Sequence, residues 1–397
     1  MSVDLLDLTF EDRHLVSCPL TPGFFIQAPS AIQATRVYVE ILKSLGPMPM
    51  LDTPATAKVQ SALKPGQRTN YIGFPKDLNF GDRWMYQALE RRLPQLAFAH
   101  PKNALDRWRC VLPRGHYDLT LLGGGTLINQ KPQFFQDVAS SLAAGVPCVC
   151  FGTGVGNPER WGDHLEAWVE LLRQFRFVGI RGPRSHELLA ARGMRDHVIT
   201  GDPCLLDEPS FGERPAQGPY QVWVDVSFGV QETPASIEFR FRLLRALGGL
   251  ESSGRAQLHF YTTWEVYRPW IQLMLENCLA SKREVTVLNE RSRPEIQRAD
   301  LCIAYRLHAG AVALMFGVPT LMVEYEPKCR DFAAFLELEA FVIEPSRAGA
   351  EQIEGMLSER LEATVKARDE VQQAVGAGKL RTEQAFGHFV QRLKDLR

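Results

Sequence analysis

The residues best equipped for chemistry lie in the run Tyr305-Arg306-Leu307-His308-Ala309-Gly310. Gly317-Val318-Pro319 and Glu324-Tyr325-Glu326-Pro327-Lys328 follow it. The apolar stretch before Arg306 reads as a buried strand, and the stretch after His308 as a helix. Arg306 and His308 therefore stand where a strand ends and a helix begins. In an open α/β sheet that edge is where ligands bind. A helix start also presents unpaired N–H groups to an anion. Lys328 follows the next strand and can face the same crevice. The alternative use of Arg306 and His308 is to cap and brace the sheet.

A second cluster is Asn79-Phe80-Gly81-Asp82, just after Phe74 and Pro75. Gly81 permits a tight turn, and Asp82 suits the first turn of a helix; the same residues would serve an ordinary N-cap. Gly123, Gly124 and Gly125 end a strand that begins near Tyr117, and such a run lets backbone N–H groups approach a ligand. No Gly-Lys-Ser/Thr follows, so this is not a Walker loop. A dinucleotide fingerprint at Gly152-Thr153-Gly154 would need a third glycine where Asn157 stands, which excludes a nicotinamide reading. Arg181-Gly182-Pro183-Arg184-Ser185 opens a helix, and its two guanidinium groups can grip a carboxylate or phosphate. Gly201-Asp202-Pro203 reads as a structural turn.

These residues need strands and helices in alternation to hold them. Strands are expected at 71–74, 117–122, 146–151, 177–180 and 197–200, with helices at 82–92, 134–143, 164–175 and 184–193. Residues 206–218, rich in proline, glycine and charge, read as a linker. A second series follows, with strands at 221–226, 258–261, 285–288, 301–305 and 320–325 and helices at 236–247, 264–279 and 308–316. Such alternation implies parallel sheets covered on both faces. The expected fold is α/β, with two Rossmann-like domains around an interdomain cleft and a helical C-terminal tail. The divisions are an N-terminal extension over 1–68, a first Rossmann-like domain over 69–205, the linker, a second over 219–345, and the tail over 346–397. Within the extension, residues 31–45 have helical apolar spacing.

Composition narrows the function. The 397 residues are 45% hydrophobic and 23% charged, with a net charge of −1. That is an ordinary globular profile, with no global attraction to nucleic acid. No run of 18 apolar residues suggests a membrane span, and the N-terminus lacks a secretory pattern. The eight cysteines are scattered without zinc spacing. A cytoplasmic protein with no metal is expected.

In this order, the motifs resemble the polysaccharide pyruvyl transferase family. The resemblance runs from about Tyr71 to Leu338. It rests on Asn79 to Asp82, Gly123 to Gly125, Arg181 with Ser185, Asp202-Pro203, Arg306-Leu307-His308, and Tyr325 with Pro327 and Lys328. It implies a glycosyltransferase-B-like fold, an interdomain site, and transfer of a pyruvyl group from phosphoenolpyruvate onto sugar hydroxyls to form a ketal. No cofactor is implied beyond that donor. Arg181, Arg184, Arg306 and Lys328 would supply cations to the carboxylate and phosphate, each charge-assisted bond contributing about 1.5–3 kcal/mol. Asn79, Gly81, Phe74 and the three glycines complete the expected substrate contacts. His308 is the candidate acid and Asp82 the candidate base. A helix N-terminus disfavours a protonated imidazole, whereas a bound phosphate favours it.

The expected partners are phosphoenolpyruvate and a sugar or lipid-linked saccharide, with at most peripheral membrane contact through the acceptor; a homo-oligomer is compatible with the sequence. Two other classes fit the same architecture. A nucleotide-sugar glycosyltransferase would more often carry acidic residues where Ala311, Val312 and Ala313 stand. A non-catalytic binding protein would not need Arg306, His308 and Lys328 together.

Overall fold

The computed structural model describes residues 14–17, 25–28, 67–74, 79–99, 117–211, 219–227, 234–279, 281–289, 293–345 and 353–396. The chain divides into two compact units, residues 1–66 with 101–112, and residues 67–100 with 113–397. In the first unit, β1 (His14–Ser17) pairs antiparallel with β2 (Phe25–Ala28). The helix expected over 31–45 lies outside the described residues.

The second unit holds two parallel sheets. The first contains β3 (Gln67–Ile72), β4 (Leu96–Ala99), β5 (Leu119–Leu122), β6 (Gly125–Ile128), β7 (Cys148–Val155), β8 (Phe177–Ile180) and β9 (Val198–Ile199). Their order is β4-β3-β5-β7-β8-β9, with β6 paired to β7. Strands β5 and β7 are buried along their whole length, as a sheet covered on both faces demands. Around them lie α1 (Phe80–Arg92), α2 (Pro132–Ala143), α3 (Pro158–Trp161), α4 (Leu165–Leu172) and α5 (Pro183–Ala190).

One expectation fails here. The strand read as 146–151 continues to Val155, and Gly125 opens a strand of its own alongside it. The chain passes an irregular register after Cys150 with Gly152 at φ +70°. Glycine adopts that left-handed conformation without a Cβ penalty. The glycine-rich segment that looked like a nucleotide loop is thus inside the sheet.

The second sheet has the order β12-β11-β10-β13-β14-β15. Its strands are β10 (Tyr220–Asp225), β11 (Ala256–Thr262), β12 (Val285–Val287), β13 (Leu301–Ala304), β14 (Thr320–Val323) and β15 (Val342–Ile343). Its helices are α6 (Pro234–Ser252), α7 (Arg268–Leu279), α8 (Leu307–Met315) and α9 (Pro327–Phe335). Helix α8 is apolar nearly all round and buried nearly all round, which is what that composition requires. Helix α9 was not legible as an element; Pro327 at its first position starts it.

The tail forms α10 (Ile353–Lys366) and α11 (Arg368–Lys394). Helix α11 joins the cores of both sheets. Val371 and Val375 pack in the cluster that holds α8, while Phe386, Phe389 and Leu393 pack with Phe151 and Phe177 of the first sheet. Arg92 at the end of α1 grips Glu383 of α11 with both guanidinium nitrogens. The part of the expected linker that is described is packed, not free. Leu206 is buried, and Asp207 accepts bonds from Trp84 and Arg91 of α1 at 2.7 Å each.

The Phe389 ring sits 5.2 Å from both Phe151 and Phe177. Phe389→Ala is expected to destabilise the chain by about 3–5 kcal/mol in chemical denaturation. A loss below about 1 kcal/mol would mean that α11 is only loosely applied to the first sheet.

Candidate functional site

Residues that follow strands bring the two sheets together. Asn79, after β3, bridges Trp264, after β11, and the Phe80 N–H donates to the Thr263 carbonyl at 2.8 Å. Gly81 lies against His308, after β13. Arg160, after β7, stands 3.5 Å from Glu326, after β14. Ser185, after β8, donates to Asp331 of α9 at 2.8 Å. The C-terminal edges of both sheets thus meet, where ligands bind in open α/β folds.

His308 occupies the first turn of α8, with only 12% of its side chain exposed. A Cβ on Gly81 would fall 2.3 Å from the imidazole, so only glycine leaves room for the ring. The Gly81 backbone is helical, so this glycine serves close approach, not backbone freedom. Asn79 caps the same helix, its side chain accepting the Gly81 N–H at 3.0 Å. On another side of the ring, Nε2 lies 3.5 Å from Oδ2 of Asp202, whose side chain has no exposed surface. Arg181, also buried, stands 3.9 Å from that oxygen and donates to Thr126 at 3.1 Å. Burial raises the Asp202 carboxyl's proton affinity, but His308, Arg181 and the Cys204 N–H outweigh it and hold the group below its usual range. Asp202 therefore stays ionised. Reading Gly201-Asp202-Pro203 as only a structural turn missed this; the nearby signal was Arg181, but nothing in the spacing joined it to Asp202.

Arg306 caps α8 from the preceding position. Its backbone N–H donates to Asp225, at the end of β10, at 2.7 Å. Its guanidinium lies 5.4 Å from the Tyr267 ring centre and 5.9 Å from that of Tyr325. Burial works against the charge, but the Tyr325, Tyr267, Asp225 and Asp82 groups push the Arg306 proton affinity up. Asp82 is half-buried beside Gly125. Lys328 approaches the same Tyr325 ring at 4.9 Å and pairs with Glu326 at 2.9 Å. Glu326 is thus shared by Lys328 and Arg160, a cation that the motifs did not single out.

Several expected substrate contacts are otherwise engaged. The Gly123 N–H donates to Ile72 at 2.9 Å, and a Cβ there would strike the Tyr71 hydroxyl at 2.1 Å. The Gly124 N–H meets that hydroxyl, and its missing Cβ makes room for Met85 and Pro203. The first two glycines serve packing; Gly125, at φ +104°, has nothing closer than 3.7 Å to its missing Cβ. Phe74 packs edge-on against Phe134, at 5.2 Å between ring centres. The α5 helix start does bind an anion, but that anion is Asp331: its Oδ1 accepts the Arg184 N–H at 2.8 Å. Arg181 faces Asp202 and Thr126. Among the described residues, no cluster of His, Cys, Asp and Glu could hold a metal, and no helix is long and apolar enough to cross a membrane.

Comparison with known proteins bears on this geometry. Residues 62–245 match the family model described as polysaccharide pyruvyl transferase. Four of the six motifs fall inside that stretch; those around His308 and Lys328 lie beyond it. Among solved structures, the chain resembles Anabaena Alr3699/HepE in complex with UDP and glucose, with a TM-score of 0.55 at 11% identity over 82% of this chain and 100% of that one. It resembles a putative UDP-N-acetylglucosamine 2-epimerase from Listeria monocytogenes, with a TM-score of 0.54 at 12% identity over 82% and 96%. The UDP-GlcNAc 2-epimerase of Neisseria meningitidis gives 0.53 at 10% identity over 82% and 99%. At these identities the likeness establishes the fold, a glycosyltransferase-B-like pair of parallel sheets. A search of curated proteins gives no match. The pyruvyl transferase match supports a transferase of polysaccharide biosynthesis.

Gly81→Ala tests the contact between the halves. The added methyl must displace His308, since backbone conformation offers no other objection. We expect stability to fall by about 1–3 kcal/mol and turnover of the transferase to fall with it, read by thermal unfolding and by rate. An alanine variant with native stability and rate would show that His308 need not occupy this place.

Proposed function

We propose that the chain is a phosphoenolpyruvate-dependent pyruvyl transferase that builds a ketal on a sugar. The observation that supports this best is the convergence of Arg306 and Lys328 on Tyr325, with His308 two residues from Arg306 at the start of α8. Phosphoenolpyruvate carries a carboxylate and a phosphate, and two fixed cations beside a proton donor match its needs. Low exposure strengthens such charge pairing relative to water.

In this reading, Arg306 and Lys328 bind the anionic groups, and Lys328 exchanges part of its contact with Glu326 for the substrate. His308 gives a proton to the methylene carbon, which leaves an oxocarbenium-like centre at the neighbouring carbon. A sugar hydroxyl oxygen bonds to that centre, and its proton passes to Asp82. The carbon–oxygen bond to phosphate then breaks, the oxygen keeping the electron pair, and phosphate takes the proton from Asp82. A second hydroxyl closes the ketal, and its proton restores His308. Protons and charge balance over the cycle without a metal in any step.

Incubation with phosphoenolpyruvate and a panel of nucleotide-linked and lipid-linked sugars tests the reading. The expected result is phosphate release matched by the mass gain of a pyruvate ketal on one acceptor. Hexose transfer from a nucleotide sugar, with phosphoenolpyruvate untouched, would replace this reading with glycosyl transfer. Two variants then separate chemistry from binding. His308→Ala is expected to slow kcat by about 10²–10⁴-fold, the usual contribution of a general acid. Lys328→Ala is expected mainly to raise KM for phosphoenolpyruvate, because its charge acts on ground and transition states alike. A folded His308→Ala enzyme with near-normal kcat would reduce His308 to a helix-start brace.

A further inference from the structure

We infer that Asp202 is a positioning residue for His308: its buried second carboxylate oxygen holds and orients the proton that His308 delivers. The inference rests on the pyruvyl transfer reading for what that proton does, and on geometry alone for where it is held.

The two oxygens of Asp202 do different things. Oδ1 accepts the Cys204 N–H at 3.0 Å and caps the short turn Pro203–Leu206. That cap needs one oxygen, and Asn or Ser would supply it equally well. Oδ2 has no hydrogen-bond partner and no solvent. It faces Nε2 of His308 at 3.5 Å and Nη1 of Arg181 at 3.9 Å. A wholly buried carboxylate in this state is strongly unfavourable unless charge compensates it. A structural turn has no use for that second oxygen. Its lowered proton affinity, despite burial, agrees with a carboxylate kept ionised by cationic neighbours.

Nε2 of His308 is likewise without a hydrogen bond. At 3.5 Å the pair stands slightly beyond good hydrogen-bond length, which small motions would close on protonation or substrate binding. Arg181 limits the effect by neutralising part of the Asp202 charge. It also fixes the carboxylate in place, because Gly154 leaves room for its guanidinium, 2.5 Å from where a Cβ would stand. Other charged or titratable groups on elements packed against α8 include Asp82 in α1, Arg306 at the cap, Lys328 and Asp331 in α9, Cys302 in β13 and Tyr261 in β11. The Tyr261 hydroxyl donates to the Ala309 carbonyl at 3.1 Å, and α11 presents Val371 and Val375 there. The Asp202 carboxylate is directed at Nε2.

The test is an NMR titration of the His308 ring in the full-length protein, with the resonance assigned by its loss in His308→Gln. Asp202→Asn and Asp202→Ser both keep an oxygen for the Cys204 N–H, so the turn survives in either. Removing the negative partner is expected to weaken proton binding at His308 about tenfold or more, a fall of roughly one to two pH units in the midpoint. In turnover, activity requires protonated His308 and is lost as pH rises through its midpoint. The same variants should move that alkaline limb to lower pH. An unchanged His308 midpoint in both folded variants would overturn the inference and leave Asp202 as a turn cap. A shifted midpoint in a protein that does not consume phosphoenolpyruvate would uphold the pair and refute the donor instead.

Discussion

A carboxylate buried without solvent must be met by opposite charge, and Asp202 imposes that requirement on the whole junction between the sheets. Arg181, from the end of β8 in its own sheet, supplies part of the compensation. His308, at the end of β13 in the other sheet, faces the same oxygen. Two glycines make the arrangement sterically possible: Gly81 clears space for the imidazole, and Gly154 for the guanidinium. Breaking such a buried pair by removing one partner generally costs about 3–5 kcal/mol, because the remaining charge is stranded. The contact that brings His308 to the seam thus also holds the two sheets in register.

The cations beside His308 follow the same logic at lower burial. The place of Arg306 is set through its backbone, whose N–H is held by the buried carboxylate of Asp225. Its side chain is left to the Tyr267 and Tyr325 rings. Lys328 and Arg160 share Glu326, whose carboxylate meets both charges. Asp331 sits at the α5 helix start, where the bonds from Arg184 and Ser185 are complete and belong to the packing of the halves. A ligand that competes with Glu326 displaces a shared and partly exposed contact. One that competes with Asp331 would have to separate two packed helices.

Periodicity and strand–helix alternation made both parallel sheets and the helical tail legible, because buried parallel strands are continuous apolar runs. Strand β6 and the extension of β7 were not, since Gly125, Gly152 and Gly154 mimic loop composition while lying in a sheet. Helix α9 was hidden because its motif, Tyr325 to Lys328, drew attention as a strand end. At the site, Arg306, His308 and Lys328 stood out by type and position. Asp202 did not, because its relation to His308 spans a hundred residues and both sheets. Arg181 and Arg184 were visible as a pair, but the meeting of the Arg181 side chain with Asp202 is a tertiary fact. Gly123 and Gly124 looked like a ligand cradle, and Tyr71, Met85 and Pro203 fill the space they leave.

A crystal structure of the protein with phosphoenolpyruvate, or an unreactive analogue bearing its carboxylate and phosphate, tests the central claim most directly. The account predicts the anionic groups within hydrogen-bond reach, about 2.7–3.2 Å, of Arg306 and Lys328, with the methylene carbon turned toward His308 and Glu326 drawn away from Lys328. Anionic groups bound elsewhere, with Glu326 still on Lys328 and His308 out of reach of the ligand, would contradict it.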